Sequence, residues 1–196
     1  MAQLSQHFSN ARQLLGRVVR HRQLVLLVLG LVIGAVAAGA AIGFRELIGL
    51  IQLGALGFSS ESVYSLVQNQ PWWRVLLVPA LGGLVVGLFI HFVMPGRRPQ
   101  GVADVMEATA LRGGRLELRA GLGAALASAV SIGCGASVGR EGPVVHLGAT
   151  LSSWVSERLH LSRHLSLVLL GCGVASAIAA SFNAPIAGVF FALEVV

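Results

Sequence analysis

Gly139-Arg140-Glu141-Gly142-Pro143 sets a carboxylate between two glycines, with a proline directly after the second. In a chain that keeps charge out of its apolar segments, an ionisable residue in this setting marks a functional site. Proline favours the first turn of a helix, where its missing N–H would be unpaired anyway. The stretch therefore predicts a carboxylate at a helix N-terminus, beside backbone N–H groups that the helix itself leaves without acceptors. Such groups, together with the helix dipole, attract anions. The reading is of an anion site with a competing anion, the Glu141 side chain, built into it.

Composition sets the class of protein around that site. The chain is 55% hydrophobic and only 11% charged, with a mean hydropathy of +0.80. An ordinary soluble domain carries about 25% charge, so much of the apolar excess must face lipid. All 14 basic residues are arginine. Arg12, Arg17, Arg20 and Arg22 precede the first apolar run, and Arg97, Arg98, Arg112, Arg115 and Arg119 follow the second. The net charge of +6 therefore reads as membrane topology; without aromatic-basic interleaving it does not indicate nucleic-acid binding. Cys134 and Cys172 lie in runs of small apolar residues and read as packed hydrophobes.

Leu24 to Phe44 is uncharged and long enough to cross a hydrocarbon core of about 30 Å. Val75 to Met94 is similar, interrupted by Pro79 and His91. Arginines before the first run and after the second put both flanks in the cytoplasm and make Glu61 to Arg74 the outer loop. A cleaved signal peptide is excluded by the length of the apolar run and of the charged stretch before it. Residues 1–22 read as a cytoplasmic amphipathic helix, with Leu4, Phe8, Leu14, Leu15 and Val18 available for one face. Residues 23–196 form the membrane domain.

Beyond Met94 the apolar pieces shorten. Val144 to Val155 is too short to span, Leu165 to Phe182 nearly spans, and Ala184 to Leu193 falls short after the helix-start signal Asn183-Ala184-Pro185. Broken helices at membrane depth persist only where protein or a polar cavity surrounds them, and transporters use them to aim helix N-termini at anions. The expected fold is all-α, with tilted and broken membrane helices. Glycine pairs four apart, Gly30/Gly34, Gly39/Gly43 and Gly83/Gly87, suit close helix packing.

Competing chemistries fit poorly. Gly135-Ala136-Ser137-Val138-Gly139 has the form of a serine-hydrolase elbow, but no aspartate follows it, and Glu157 and His160 fall on one helix. A phosphate loop would need a Gly-Lys-Ser/Thr, and the chain has no lysine. His146, His160 and His164 share no ligand spacing with the cysteines; His146 reads as a packed or water-facing residue. No cofactor, metal or enzymatic activity is indicated. A surface carboxylate paired with Arg140 is the structural alternative for Glu141.

Two longer stretches carry a resemblance. Gly133-Cys134-Gly135-Ala136-Ser137-Val138-Gly139-Arg140-Glu141-Gly142-Pro143-Val144-Val145-His146-Leu147-Gly148-Ala149 resembles the glutamate-gate region of the CLC family of chloride channels and chloride/proton antiporters. Ser181 to Glu194, containing Asn183-Ala184-Pro185, resembles the family's next hallmark. Gln100-Gly101-Val102-Ala103-Asp104-Val105 falls where the family has Gly-Ser-Gly-Ile-Pro-Glu.

The resemblance implies an anion transporter of a bacterial-type inner membrane, multi-pass, with a cytoplasmic N-terminus and a homodimeric assembly. Glu141 would match the external gating glutamate, and the N–H groups of Arg140, Glu141 and Gly142 would form the outer anion site. A second helix start near Gln100 and Gly101 would face the inner and central sites. Gln100 stands where the family has its central serine, and Ala103 where it has proline. A longer amide there leaves the choice among chloride, nitrate and fluoride open. Antiporter members carry two successive glutamates where this chain has Glu194-Val195. Valine cannot relay protons, which favours an uncoupled channel gated by voltage or pH, with an antiporter using Glu194 as its proton path as the alternative. A secondary transporter of another family would also show broken helices.

The family has two inverted repeats, and only the first is matched. The later phenylalanine-bearing motif and the pore tyrosine find no counterpart, and Val196 falls inside an apolar helix. The expectation is of a partial chain carrying half a pore.

Overall fold

The computed structural model describes the backbone of residues 2–58 and 70–196, and the side chains from Gln23 onward within those ranges. Seven α-helices are found among the described residues: α1 Ala2–Leu56, α2 Trp72–Val93, α3 Val102–Leu111, α4 Leu118–Gly133, α5 Glu141–Arg158, α6 Arg163–Phe182 and α7 Pro185–Val195. A 3-10 turn, Pro95–Arg97, lies between α2 and α3. Three helices are long and apolar enough to cross a membrane: Gln23–Leu56 within α1, α2 and α6.

α1 exceeds the span expected for it. Its apolar portion has 34 residues, about 50 Å at the usual helical rise, against a core of about 30 Å. The surplus carries Arg45 and Glu46, and a helix of this length is expected to tilt or to emerge from the hydrocarbon. The backbone stays helical through the boundary expected at residue 22; the side chains of residues 1–22, and most of the expected outer loop, lie outside the described residues. One stripe of α1, Ile33, Ala37, Ala41 and Phe44, is buried, while Leu24, Leu27, Val28, Leu31 and Val32 are exposed, as suits a helix with protein on one side and lipid on the other.

Packing depends on small residues. Gly30 approaches Cys172 and Gly34 approaches Ser176, both on α6. Neither Gly39/Gly43 nor Gly83/Gly87 has a neighbour where a Cβ would stand. Those pairs therefore form no close contact among the described residues; Gly82 of α2 packs tightly, against Cys134. Both cysteines are half-buried and unbonded to one another. α4 supplies a small-residue face including Gly121, Ala124, Ala125, Ala129 and Gly133. α5 and α6 cross backbone to backbone, where a Cβ on Gly148 would stand 2.7 Å from the carbonyl oxygen of Gly173.

α5 is also longer than the apolar segment suggested: 18 residues instead of a stub from Val144 to Val155. Its polar second half does not end the helix, because protein absorbs those groups. Ser152 Oγ donates to the Gly148 carbonyl at 2.8 Å, and Ser153 Oγ accepts the Leu116 N–H at 2.8 Å. Ten of its residues, from Val144 to Ser156, are buried, so the helix is a core element and not a lipid-facing one.

Replacing Gly148 by Ala is expected to destabilise the domain by about 1–3 kcal/mol through overpacking. Gly39→Ala, with open space at its Cβ, is expected to leave stability unchanged or slightly raised. Thermal unfolding in detergent compares the two; equal effects would show that the α5–α6 contact does not limit stability.

Candidate functional site

Glu141 is the first residue of α5, as the Gly-Pro signal predicts, and is exposed. The first intrahelical bond runs from the Val144 N–H to the Arg140 carbonyl at 3.2 Å. The N–H groups of Glu141 and Gly142 precede that bond, and Pro143 has none to offer. These are the orphan donors of a helix start. Arg140, at the N-cap position, makes no side-chain cap bond to them.

The Arg140 guanidinium lies over the Phe182 ring, 5.5 Å from its centroid. Phe182 ends α6, immediately before Asn183, whose left-handed backbone (φ 54, ψ 37) turns the chain. Pro185 then opens α7 at its first position. Arg140 thus joins the Glu141 loop to the Asn183-Ala184-Pro185 turn, two motifs more than forty residues apart in sequence.

The third helix start is α3. Gly101 is its N-cap residue, and Gln100 precedes it, half-buried. Here the donors are partly committed, which the sequence reading did not foresee. Asp104 Oδ2 accepts the Gly101 N–H at 2.9 Å, while its Oδ1 accepts from Arg98 Nη2 at 2.6 Å. An acid at the third helical position, reaching back to the N-cap N–H, is a readable capping signal. Val105 and Ala108 of α3 share one core with Val145 and Ala149 of α5, with Val174 and Ile178 of α6, and with Ala192 and Val195 of α7. The short helices are therefore packed as a unit. His146, in the second turn of α5, is buried in it, 1% exposed, with Nδ1 3.4 Å from Thr150 Oγ1.

Glu194 is not brought to Glu141. It is exposed near the far end of α7, about 14 Å along the helix from Pro185. Its neighbour Val195 is the one that faces the core. Ser137 lies exposed in the segment between α4 and α5, preceded by a helix and not by the strand a hydrolase elbow needs.

Residues 82–196 match the family model described as voltage gated chloride channel. The chain belongs to this family, the CLC proteins. The "Putative chloride channel protein ClcB-like" of Ralstonia nicotianae is 37% identical over 168 residues, covering 84% of this chain and 39% of that protein. The voltage-gated ClC-type chloride channel ClcB of Escherichia coli is 35% identical over 173 residues, 86% of this chain and 40% of its own. A protein of the same name from Shigella boydii matches equally. The chain thus spans about two fifths of the length of these curated relatives. No solved structure matches it significantly. Membership of the CLC family makes the chain a multi-pass helical membrane protein and not an enzyme.

Asp104→Ala is expected to weaken the start of α3 by about 1 kcal/mol and to speed amide exchange at Gly101 and Val102. Unchanged exchange at Gly101 would mean that the Asp104 cap does not form in solution.

Proposed function

We propose that the protein to which this chain belongs moves chloride or a similar anion across the membrane, with Glu141 as the gate. The observation that carries the reading is the start of α5: an exposed carboxylate on the same first turn as N–H donors that the N-cap side chain leaves uncapped. An ionised Glu141 competes with the anion for those donors; a protonated one does not. Partial charges of backbone groups hold an anion weakly enough for it to leave, which throughput demands. Arg140, Glu141 and Gly142 form the outer anion site in this reading. Gln100 and Gly101 border the inner one, where Asp104 restrains Gly101. The arginine-rich side is the cytoplasmic face, the N-terminus lies there, the membrane is the cell's inner membrane, and two complete subunits pair.

Uncoupled, channel-type conduction is favoured over chloride/proton exchange. Support comes from Val195, which packs in the core where a proton-relaying carboxylate would be needed, while Glu194 faces outward. The exchanger reading keeps Glu194 as its proton path. Nitrate or fluoride selectivity would trace to the amide of Gln100.

The test uses the complete protein in proteoliposomes. Chloride efflux is expected to rise as pH falls, and Glu141→Gln is expected to hold it at the high level at every pH. Flux and pH dependence untouched by Glu141→Gln would end the gating role and point to a different transport mechanism. A chloride gradient that drives protons uphill would overturn the uncoupled reading, and loss of that pumping in Glu194→Gln would establish the exchanger in its place.

A further inference from the structure

At the end of α5 opposite Glu141, a cavity of about 230 Å³ opens between the α3–α4 connection, the last turns of α5 and the first turn of α6. Ser153, Ser156 and Gly114 form its buried floor, and Arg115, Glu157, His160 and Ser166 its wall. Ser156 Oγ is enclosed and finds no hydrogen-bond partner among the described residues. A buried hydroxyl without a partner costs about 1–3 kcal/mol, so the site is incomplete without a polar occupant. Ser153 Oγ accepts the Leu116 N–H and keeps its own proton to donate. α6 begins here as well, and the Ser166 N–H is the first to return to a carbonyl, that of Ser162 at 2.9 Å. The amides before it are unspent, and Ser162 contributes no side-chain cap.

From these residues we propose a binding site for a phosphate-type oxyanion, separate from the Glu141 site and independent of the gating reading. Donors dominate the lining: the Arg115 guanidinium, three serine hydroxyls and the His160 imidazole, with the positive end of α6 beside them. Glu157 is the single carboxylate in the wall and limits affinity. Arg119, Arg158 and Arg163 flank the same segments in sequence and add positive charge, while Arg112 is paired with Glu107. The volume lies below the roughly 300–1,000 Å³ of pockets for drug-sized ligands. It suits a phosphate group and excludes a whole nucleotide. On the topology proposed above, the pocket lies on the cytoplasmic side, where both a phosphomonoester lipid headgroup and free phosphate reach it.

The complete protein in phosphatidylcholine nanodiscs, titrated with inorganic phosphate against chloride at matched ionic strength, reads the free-anion source as a rise in Tm. Nanodiscs doped with phosphatidic acid, without free phosphate, read the lipid source. A rise in either arm is expected, weakened about ten-fold or more in apparent affinity by Arg115→Ala, weakened by Ser156→Ala and strengthened by Glu157→Gln. Ser156→Ala removes one buried oxygen and keeps the fold, so it decides the matter if Arg115→Ala does not assemble. A rise in the first arm alone identifies free phosphate, and in the second alone the lipid. No rise in either arm, a rise that chloride reproduces, or a rise indifferent to Ser156→Ala overturns the proposal.

Discussion

The backbone-to-backbone approach of α5 and α6 at Gly148 and Gly173 is the contact on which the rest of the domain depends. Gly148 faces the Gly173 carbonyl, and Gly173 faces the Gly148 carbonyl, both at 2.7 Å from where a Cβ would be. Lipid tails give helices no hydrophobic reason to leave them for one another, so close packing of small residues must supply the attraction. The crossing holds α5 inside protein, where a helix that is too polar for lipid is stable. With α5 in place, its N-terminus presents Glu141 at one end and its serines meet the α3–α4 connection at the other.

Backbone satisfaction organises the short helices in the same way. A helix start at membrane depth leaves N–H groups without partners, a cost tolerated only in a protein-lined or polar setting. The chain treats its starts differently. α3 spends the Gly101 N–H on Asp104, α7 begins with a proline that has no N–H to spend, and α5 leaves Glu141 and Gly142 uncapped. None of the three N-cap residues makes a side-chain cap bond, so each start keeps first-turn N–H groups available; at α5 those donors share the first turn with Glu141. Arg140 over Phe182 ties this place to the α6–α7 turn while leaving the amides open.

Much of the architecture was legible because its signals are local. Pro143 and Pro185 lack an N–H wherever they stand, and helix starts are where that lack is harmless. The apolar runs of α1, α2 and α6 are long because lipid is thick. Other features depend on partners that periodicity does not name. α5 outran its apolar stretch because Ser152 and Ser153 found acceptors and donors in Gly148 and Leu116. Of three glycine pairs with the same spacing, only Gly30/Gly34 meets a neighbouring helix among the described residues, since spacing records the possibility of contact and not the partner. The Asp104 cap is a local signal too, an acid three residues after Gly101.

The sequence by itself determined the membrane class, the long apolar runs of α1, α2 and α6, the place of Glu141 at a helix start and the family resemblance. Each of these follows from residue chemistry acting within a few positions along the chain. Only the tertiary structure decided that Val195 and not Glu194 turns to the core, that α5 is a buried 18-residue helix, and that Ser156 closes a basic cavity far from the gate motif. Those outcomes depend on which surfaces meet. Residues far apart along the chain meet only once the helices have chosen their neighbours, and steric fit between side chains makes that choice.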